Sequence, residues 1–327
     1  MTVDYLILGA GAAGLAAARV LSEHQAEVLL LDKGRGTGGR LATRRLGERD
    51  SPRGRWDHGA QFLTLRSRVL TERLSGWGVM ASLRPWHDAE NGLIRYCGAD
   101  GINGFAKSLA TGLRVLNSRR VVKISKMDDG CWVAETHEGE RFTARKLIST
   151  IPAPQLVDLL EFSALSLPGT AALTAIQYER TLTLMLELDG PSGMETPGLL
   201  RPESGILQTV VDHQLKGISE TPTLTAHALP AFSLEWYDRD REVMASVLRA
   251  AVMELLDVKV VSAQHHGWKF AHPSVRHPEP FLQVDEQFWA AGDGFQAGDA
   301  EADPACPPRV ESALLSGIQV AESAITA

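Results

Sequence analysis

The 327-residue chain is long enough for about two domains, and its 44% hydrophobic and 22% charged residues are typical of a protein with a full core. Its 33 Lys and Arg against 40 Asp and Glu give a net charge of −7, which argues against a nucleic-acid-binding surface. The longest apolar run, Tyr5 to Ala18, is shorter than the ~20 residues of a membrane span and lacks the basic start of a signal peptide. We therefore expect a cytoplasmic protein with no membrane partner.

A βαβ unit opens the chain. Residues 3–8 and 27–32 are short apolar runs typical of buried parallel strands, and the Ala- and Leu-rich residues 12–24 between them predict a helix. The Gly- and Arg-rich residues 33–55 predict a long loop. Later helices are predicted over 67–77, 104–111, 152–160, 239–256 and 309–324. Later strands are predicted over 121–124, 131–136 and 141–144, which form a β-meander, and over 146–150, 181–188, 206–211, 223–228 and 288–291.

The junction of the first strand and helix carries the pattern GxGxxG. Its glycines are Gly9, Gly11 and Gly14, with Ala12 and Ala13 between the last two. Such glycines allow a tight turn, a close approach of the backbone to a pyrophosphate, and close packing of helix on strand. Asp32 ends the second strand, where a carboxylate can accept hydrogen bonds from ribose hydroxyls, and Lys33 follows it. This context predicts nucleotide binding.

A second GxGxxG, Gly34 to Gly39, follows the second strand, but no long apolar-faced helix comes after it. We therefore predict a loop packed on the first site, in which Gly39 passes close to the cofactor and Arg40 neutralises its pyrophosphate. A Gly-Gly-Arg directly after the ribose-binding acid is usual for a flavoprotein. Among the other nearby arginines, Arg44 and Arg45 are weaker candidates for phosphate contact.

Two further segments are expected at the same site. Residues 57–62, Asp-His-Gly-Ala-Gln-Phe, contain a glycine that permits close backbone approach and Gln61, which offers both a donor and an acceptor. Near the other terminus, Gly292 and Asp293 follow a predicted strand. Because the carboxyl ends of parallel strands meet at one crevice, this Asp and the first glycine motif should lie close together.

Other chemistries lack their motifs. His265 and His266 have no third ligand at metal spacing, so we predict no metal site. No GxSxG sequence is present to anchor a hydrolase triad. The three cysteines, Cys97, Cys131 and Cys306, are scattered and predict no disulfide framework.

Taken in order, the segment from Gly9 to Asp32, the triplet Gly38-Gly39-Arg40, the strand 120–124 and Gly292-Asp293 resemble the flavin amine oxidase superfamily. The element Asp57 to Phe62, the segment 150–154, Trp268 and the segment 291–295 resemble the renalase branch with its bacterial relatives. The resemblance spans the whole chain. One difference is the acidic, proline-bearing segment 296–308, which is longer than the link usual in that branch and adjoins the implied flavin site.

The resemblance implies non-covalent FAD. The first glycine motif and Arg40 would meet the pyrophosphate, Asp32 the adenosine ribose, and the backbone of Val121 the adenine. Gln61, Phe62 and Asp293 would lie near the flavin, and Tyr178 and Trp268 are our candidates, with Gln61, for the substrate pocket. The implied reaction oxidises 2- and 6-dihydropyridine isomers of NAD(P)H by hydride transfer to the flavin, with O2 as acceptor and H2O2 as product.

Two other functions remain open. Many amine oxidases place a lysine near the flavin, and residues 151–327 contain Lys216, Lys259 and Lys269. Lys269 adjoins Trp268 on a predicted strand, so alternation should point it to the opposite face. This weakens oxidation of an amine or a related small substrate without excluding it. The remaining alternative is a flavin-binding sensor without catalysis.

The resulting fold prediction is an α/β protein with a Rossmann-like FAD-binding domain, a doubly wound parallel sheet with a β-meander, and a smaller α+β substrate domain with a mixed sheet. The first domain is expected from 1–66, 101–160 and 285–327, and the second from 67–100 and 161–284. We expect a monomer or a homodimer, with a small molecule as partner.

Overall fold

The computed structural model describes residues 2–47, 52–88, 92–298 and 310–327. One of its two large sheets, called the first sheet, has eight strands in the order β17-β18-β11-β1-β2-β8, with the hairpin β9-β10 joined to β11. Its strands are β1 (Thr2–Leu8), β2 (Val28–Leu31), β8 (Val115–Leu116), β9 (Val121–Lys126), β10 (Trp132–Thr136), β11 (Arg141–Ser149), β17 (Phe281–Asp285) and β18 (Phe288–Ala291). The pairs of β1 with β2 and β11, β11 with β18 and β2 with β8 are parallel, as expected for a Rossmann-like sheet.

Helices cover both faces of this sheet, which explains its almost continuous apolar strands. Ile7 packs on the face covered by α1 (Ala12–Glu23), α3 (Ile102–Ala110) and α8 (Val310–Thr326), whereas Leu6 and Leu8 pack on the face covered by α4 (Ala153–Phe162). Helices α1 and α8 touch closely, because a Cβ on Gly317 would lie 2.1 Å from the Ala13 carbonyl oxygen. Helix α1 is thereby packed between β1 and α8.

The other large sheet, called the second sheet, has five strands in the order β13-β14-β15-β12-β16. Its strands are β12 (Gln177–Leu188), β13 (Leu199–Leu200), β14 (Leu207–Asp212), β15 (Thr223–Ala228) and β16 (Val260–Val275), and α6 (Pro230–Trp236) and α7 (Arg241–Leu256) pack against it. All its pairs between described residues are antiparallel. The sheet therefore differs from the mixed sheet that we expected. The pairs β13 with β14 and β14 with β15 join successive strands, whereas β12 pairs with β15 and β16 across longer connections.

The predicted loop over 33–55 is wrong in its second half, which contains the antiparallel pair β3 (Thr43–Gly47) and β4 (Pro52–Asp57). Its anchor is Trp56, which is fully buried against Leu46 and Met185 and donates a hydrogen bond to the Leu186 carbonyl. The high Gly and Arg content of the segment gives no apolar alternation that would predict two strands. The pair is stabilised instead by apolar contacts with a strand far along the chain.

A three-stranded sheet that we did not predict has the order β5-β7-β6, and in the chain β5 precedes α2 (Arg68–Gly76) while β6 and β7 follow it. Its strands are β5 (Leu63–Thr64), β6 (Leu83–Asp88) and β7 (Ile94–Gly98), with a short 3-10 turn at Met80–Ser82 before β6. The two strands predicted over 141–144 and 146–150 are one strand, β11. The short helix α5 (Thr170–Thr174) precedes β12.

The division into two discontinuous domains stays a prediction, although β17, mostly outside the expected first-domain segments, pairs with β18 in the first sheet. Among the described residues, no helix combines the length and apolarity needed to cross a membrane. The predicted start of the last helix at 309 and most of the segment 296–308 lie outside the described residues.

Candidate active site

A continuous cavity of about 1820 Å³ is lined by residues from both large sheets. This volume exceeds the ~300–1,000 Å³ of pockets for drug-sized ligands. It has room for an extended dinucleotide together with a second small molecule. One end adjoins the carboxyl ends of β1 and β2, and the other adjoins β13, β14 and β15 of the second sheet.

The first glycine motif forms the turn between β1 and α1. Gly9 has a φ of +101°, and a Cβ on Gly14 would lie 2.0 Å from the Gly9 carbonyl oxygen, so strand and helix approach as the motif predicts. Gly11 is the N-cap of α1, and a Cβ there would meet nothing within 4 Å, since Gly11 faces the cavity. The first N–H groups of α1 thus have no capping side chain at Gly11, and a helix start of this kind suits a pyrophosphate.

Asp32 lies beside this turn and holds it. Its Oδ2 accepts a hydrogen bond from the Ala10 N–H at 2.7 Å, and its Oδ1 accepts one from the Gly34 N–H at 2.6 Å. Each carboxylate oxygen keeps a second lone pair for a ribose hydroxyl. The cavity continues from Asp32 along Val121 and Val122 of β9, which suits the flat apolar face of an adenine. The donor set and the open glycine cradle therefore fit a dinucleotide.

Arg40 and Asp293 meet in the middle of the cavity. The guanidinium donates through Nη1 to Oδ2 at 2.5 Å and through Nη2 to Oδ1 at 2.7 Å, and Nη1 also donates to the carbonyl of Ala271 at 2.9 Å. Burial lowers the pKa of Arg40, but the charge and hydrogen bonds of Asp293 outweigh it, so the pKa is raised. Arg40 lines the cavity as expected, although its charge is already paired with a carboxylate from β18's end.

Tyr178 lies behind this ion pair and does not line the cavity, where we expected it. Its hydroxyl donates to Asp293 Oδ1 at 3.2 Å, and burial followed by the charge of Asp293 raises its pKa. The alternation along β12 turns this side chain toward the first sheet, and Tyr178 packs against its core. Tyr178 thus supports Asp293 from outside the residues that line the cavity.

Trp268 does line the cavity, in a cluster of aromatic rings. Its Nε1 donates to the His58 carbonyl at 2.9 Å, its ring stacks on His58 with centroids 5.5 Å apart, and His266 meets it edge-on at 4.3 Å. Burial, followed by neighbouring positive groups, lowers the pKa of His58 to about 3 and that of His266 to about 4. Both rings are therefore neutral near pH 7.

Lys269 was expected on the face opposite Trp268, yet it lines the same cavity. Because β16 is an edge strand of its sheet, residues from both of its faces can reach the cavity. The positive charge of Lys269 acts on Lys33, which also lines the cavity: burial lowers the Lys33 pKa, Asp32 opposes this, and Arg120 and Lys269 lower it further. Lys269 therefore belongs to the nucleotide end, beside Lys33.

Gln61 and Phe62 line the other end of the cavity. The side-chain amide of Gln61, which we expected to be available to a ligand, already has partners within the protein. Its Nε2 donates to the Asp57 carbonyl at 2.5 Å, and Lys216 Nζ lies 3.3 Å from its Oε1. Asp57 and Lys216 are themselves fully buried and do not line the cavity. The Asp-His-Gly-Ala-Gln element thus contributes Gly59, Ala60 and Gln61 to the wall, and Gln61 is bonded to the protein behind it.

Several wall residues were missed by the sequence analysis, and they come from the second sheet or its edge. They are Thr181, Leu199, Arg201, Gln208, Thr209 and His227. Strand predictions covered some of them, but alternation alone does not say which face meets a cavity. Of the residues predicted to bind the cofactor, all except Gly14 line the cavity, namely Gly9, Gly11, Ala12, Ala13, Asp32, Lys33, Gly39, Arg40, Gln61, Phe62, Val121, Gly292 and Asp293.

Charge is unevenly distributed along the cavity. The described acids that line it are Asp32, Glu135, Asp158 and Asp293, and the described lysines are Lys33 and Lys269. All six belong to the nucleotide end or to the central Arg40 pair. The end near Gln61 instead contains Arg95, whose guanidinium lies 4.8 Å from the Phe62 ring centroid, and Arg201. No cluster of three or more His, Cys, Asp and Glu side chains among the described residues is arranged for a metal ion.

Two protein-family models match the chain. One, described as an NAD(P)-binding Rossmann-like domain, matches residues 7–74, and the other, described as flavin containing amine oxidoreductase, matches residues 86–325. The second match covers the larger part of the chain.

Similar solved structures share the fold over essentially their whole length. A putative protoporphyrinogen oxidase from Exiguobacterium sp. 255-15 is similar with a TM-score of 0.72 at 13% identity, covering 99% of this chain and 98% of that one. Cyclohexylamine oxidase from Brevibacterium oxydans IH-35A has a TM-score of 0.70 at 14% identity, with 100% and 99% covered. Putrescine oxidase bound to putrescine has a TM-score of 0.70 at 13% identity, with 100% of both chains covered.

Proposed function

The chain belongs to the flavin containing amine oxidoreductase family, and within that family we propose a renalase-like FAD oxidase of 2- and 6-dihydropyridine isomers of NAD(P)H. Membership makes the protein an FAD-dependent oxidoreductase that acts on a small molecule. When bound, FAD would supply the redox chemistry, as the acceptor of a hydride from the dihydropyridine and as the route of two electrons to O2, so that substrate, O2 and one proton from solvent would give NAD(P)⁺ and H2O2.

The residues at the nucleotide end would hold FAD without a covalent bond. The start of α1 and Gly11 would receive the pyrophosphate, Asp32 the ribose, and Val121 the adenine. Arg40 and Asp293, paired at the centre, would present one cation and one carboxylate to the middle of the cofactor. Gln61, Phe62 and Trp268 would then border the redox-active ring and the substrate.

The observation that carries this proposal is the charge at the substrate end. Arg201 lines the cavity there, is exposed, and has no ion pair or hydrogen bond to another described residue. His227 and His266 are neutral, since burial lowers their pKa to about 3 and about 4. A positively charged opening attracts the phosphates of a nucleotide and repels a protonated amine.

The chemistry of the wall agrees with hydride transfer. Such a reaction asks the protein to orient the reacting ring and to exclude water, and it requires no acid or base from a side chain. Phe62 and Trp268 offer flat faces for a pyridine ring, and both histidines stay neutral. Oxidation of a cationic amine would instead profit from a carboxylate near the substrate, and the described acids of the cavity lie elsewhere.

The decisive experiment is anaerobic stopped-flow bleaching of the flavin absorbance. The panel consists of 2- and 6-dihydro-NAD(P), ordinary NADH and a set of small amines. We expect rapid bleaching by a dihydro isomer, with little bleaching by NADH or the amines. Bleaching by an amine alone would overturn the proposal in favour of amine oxidation. Photoreduced flavin that reoxidises slowly in air, without bleaching by any compound, would instead indicate a flavin-binding sensor.

A further inference from the structure

A fully buried ion pair joins the two halves of the molecule behind the cavity. Lys216 follows β14 of the second sheet, Asp57 ends β4, and their Nζ and Oδ2 atoms lie 2.8 Å apart with neither side chain exposed. The other carboxylate oxygen of Asp57 accepts from Thr43 Oγ1 and from the Ile102 N–H. Burying two charges costs desolvation free energy that their attraction often fails to recover, so stability alone is a poor reason for this pair.

The pair determines how the Gln61 amide is oriented. Lys216 Nζ donates to the Gln61 carbonyl at 2.6 Å and lies 3.3 Å from its side-chain Oε1. An ammonium group can only donate, so the amide oxygen must face Lys216 and the amide nitrogen must face away. The Asp57 carbonyl, an acceptor, receives that nitrogen at 2.5 Å. Both contacts therefore require the same orientation.

This orientation in turn selects one tautomer of His227. Gln61 Nε2 lies 3.1 Å from His227 Nε2, and an amide nitrogen can only donate, so the ring nitrogen must accept. The proton of the neutral ring then resides on Nδ1, which lies 3.0 Å from Thr183 Oγ1 and donates to it. His227 lines the cavity beside Gln61, and both of its ring nitrogens are engaged within the protein.

We propose that Lys216 is a positioning residue that, through Gln61, holds His227 as the Nδ1-protonated tautomer and thereby makes this cavity wall unable to give or take a proton. Gln61 and His227 line the cavity with their polar atoms already paired. If the proposed function holds, the wall protects the substrate, because a dihydropyridine is an enamine and adds a proton at carbon when an acid is close. The tautomer itself does not depend on which substrate is used.

The groups around His227 make the proposal open to refutation. The Gly59 carbonyl raises the His227 pKa and would favour a proton on Nε2, the opposite tautomer. Burial, then His272 and Lys216, lower that pKa to about 3, and His58 and His213 are near enough for their own pKa values to be lowered by His227. His227 is therefore neutral over the working pH range, and its tautomer is the property to measure.

The first experiment is ¹⁵N NMR of histidine-labelled, FAD-loaded enzyme, with the His227 signals assigned by their loss in His227→Gln. We expect a protonated Nδ1 and an unprotonated Nε2 that do not titrate between pH 5 and 9. Gln61→Glu has the same shape but places an acceptor beside His227 and a carboxylate beside Lys216. It should move the proton to Nε2. The matched control is Gln208→Glu, another glutamine of the cavity wall, which should leave the tautomer unchanged.

The second experiment tests Lys216 itself. Lys216→Met alone leaves the Asp57 carboxylate buried without its partner, so it is combined with Asp57→Asn, which keeps the site neutral. With the ammonium gone, only the Asp57 backbone carbonyl still selects one orientation of the Gln61 amide. The amide should then turn in part of the molecules, and His227 should show a mixture of tautomers in the cofactor-loaded protein. A wild-type tautomer in this variant, a protonated Nε2 in the wild type, or an unchanged tautomer in Gln61→Glu would each overturn the proposal. If the double variant does not fold, the Gln61→Glu result alone decides.

Discussion

Arg40 and Asp293 form a two-pronged ion pair across the centre of the cavity, with N–O distances of 2.5 and 2.7 Å. The pair links the loop after β2 to the end of β18, more than 250 residues later in the chain. Tyr178 donates to the same carboxylate from behind. A cofactor that lies along this pair would meet a guanidinium whose position is fixed by two hydrogen bonds to a carboxylate. The side chain of a solvated arginine would be less restricted in position.

Arg40→Ala should weaken FAD retention. Losing a hydrogen bond to a charged group costs ~1.5–3 kcal/mol, which corresponds to an increase in the FAD dissociation constant of about 10- to 100-fold. Fluorescence titration of apoenzyme with FAD measures this constant. The control is Arg44→Ala, since Arg44 donates to Gln264 outside the cavity and should not alter FAD affinity. Wild-type affinity in Arg40→Ala would show that the pair serves the fold alone.

Gly11→Ala should fold normally and bind FAD weakly. The new methyl group meets no protein atom within 4 Å and φ is −82°, so neither a clash nor backbone strain arises. The methyl group would instead occupy the space in front of α1 where the pyrophosphate is expected. Thermal denaturation of the apoenzyme should match the wild type, whereas the FAD dissociation constant should rise at least tenfold. Unchanged FAD affinity would place the pyrophosphate elsewhere.

Gly14→Ala should destabilise the apoenzyme itself. Its Cβ would lie 2.0 Å from the Gly9 carbonyl oxygen, so α1 would have to move away from β1. Overpacking of this kind costs about 1–3 kcal/mol, measurable by urea denaturation without FAD. Gly104→Ala is the matched control inside α3, because its Cβ would meet nothing within 4 Å. That change should be neutral or stabilising by up to ~1 kcal/mol, through the lower flexibility of the unfolded chain.

Arg201→Gln should raise KM for the dihydronucleotide while leaving FAD content unchanged. An ion pair accessible to solvent contributes up to ~1 kcal/mol, which corresponds to about a fivefold increase in KM. High salt should raise the wild-type KM toward that of the variant, because it screens the same charge. Arg249→Gln removes an exposed arginine of α7 outside the cavity and serves as the control. An equal effect in both variants would contradict a phosphate contact at Arg201.

The buried histidines should make the fold sensitive to acid. In the native protein burial lowers the pKa of His58 and His227 to about 3, whereas the unfolded chain has the ordinary value of 6.5. Between these values the unfolded state binds more protons, so stability is complete above pH 6.5 and falls as the pH drops toward 3. Each histidine contributes about 1.4 kcal/mol per pH unit in that interval.

Urea denaturation at pH 7, 6 and 5 measures this slope. His227→Gln should reduce the loss of stability between pH 6 and 5 by about the contribution of one group, ~1.4 kcal/mol. His24→Gln is the control, since His24 is exposed and lies at the end of α1. An identical slope in wild type and His227→Gln would mean that His227 is protonated in the folded protein.

The nucleotide end was predictable from the sequence because its determinants are local. Gly9, Gly11, Gly14 and Asp32 belong to one βαβ unit, and the geometry of such a unit is set by apolar periodicity and by glycines at its turn. Asp293 was placed correctly for a related reason, since the carboxyl ends of parallel strands share one crevice. The family membership rests on a different part of the chain, the match over residues 86–325.

The substrate end could not be derived in this way. Arg201 and His227 come from strands of an antiparallel sheet, where alternation predicts two faces but does not say which face meets the cavity. For that reason Tyr178 was expected at the cavity and does not line it, whereas Lys269 lines the cavity because an edge strand exposes both faces. The pair of β3 and β4 was missed since its anchor, Trp56, packs against Met185, far along the chain.

The Rossmann-like unit and the glycine cradle were predictable from the residues alone, because short-range turn geometry and strand periodicity carry that information. The family of flavin enzymes was indicated by the resemblance of these segments to that family. The arrangement behind the cavity, in contrast, depends on contacts between residues far apart in the chain. The contact of Lys216 with Asp57 joins residues 159 positions apart, and its meaning depends on burial, on the direction of each hydrogen bond and on the loss of water. A lysine in an apolar interior differs from a solvated one through these surroundings, which the order of residues does not reveal.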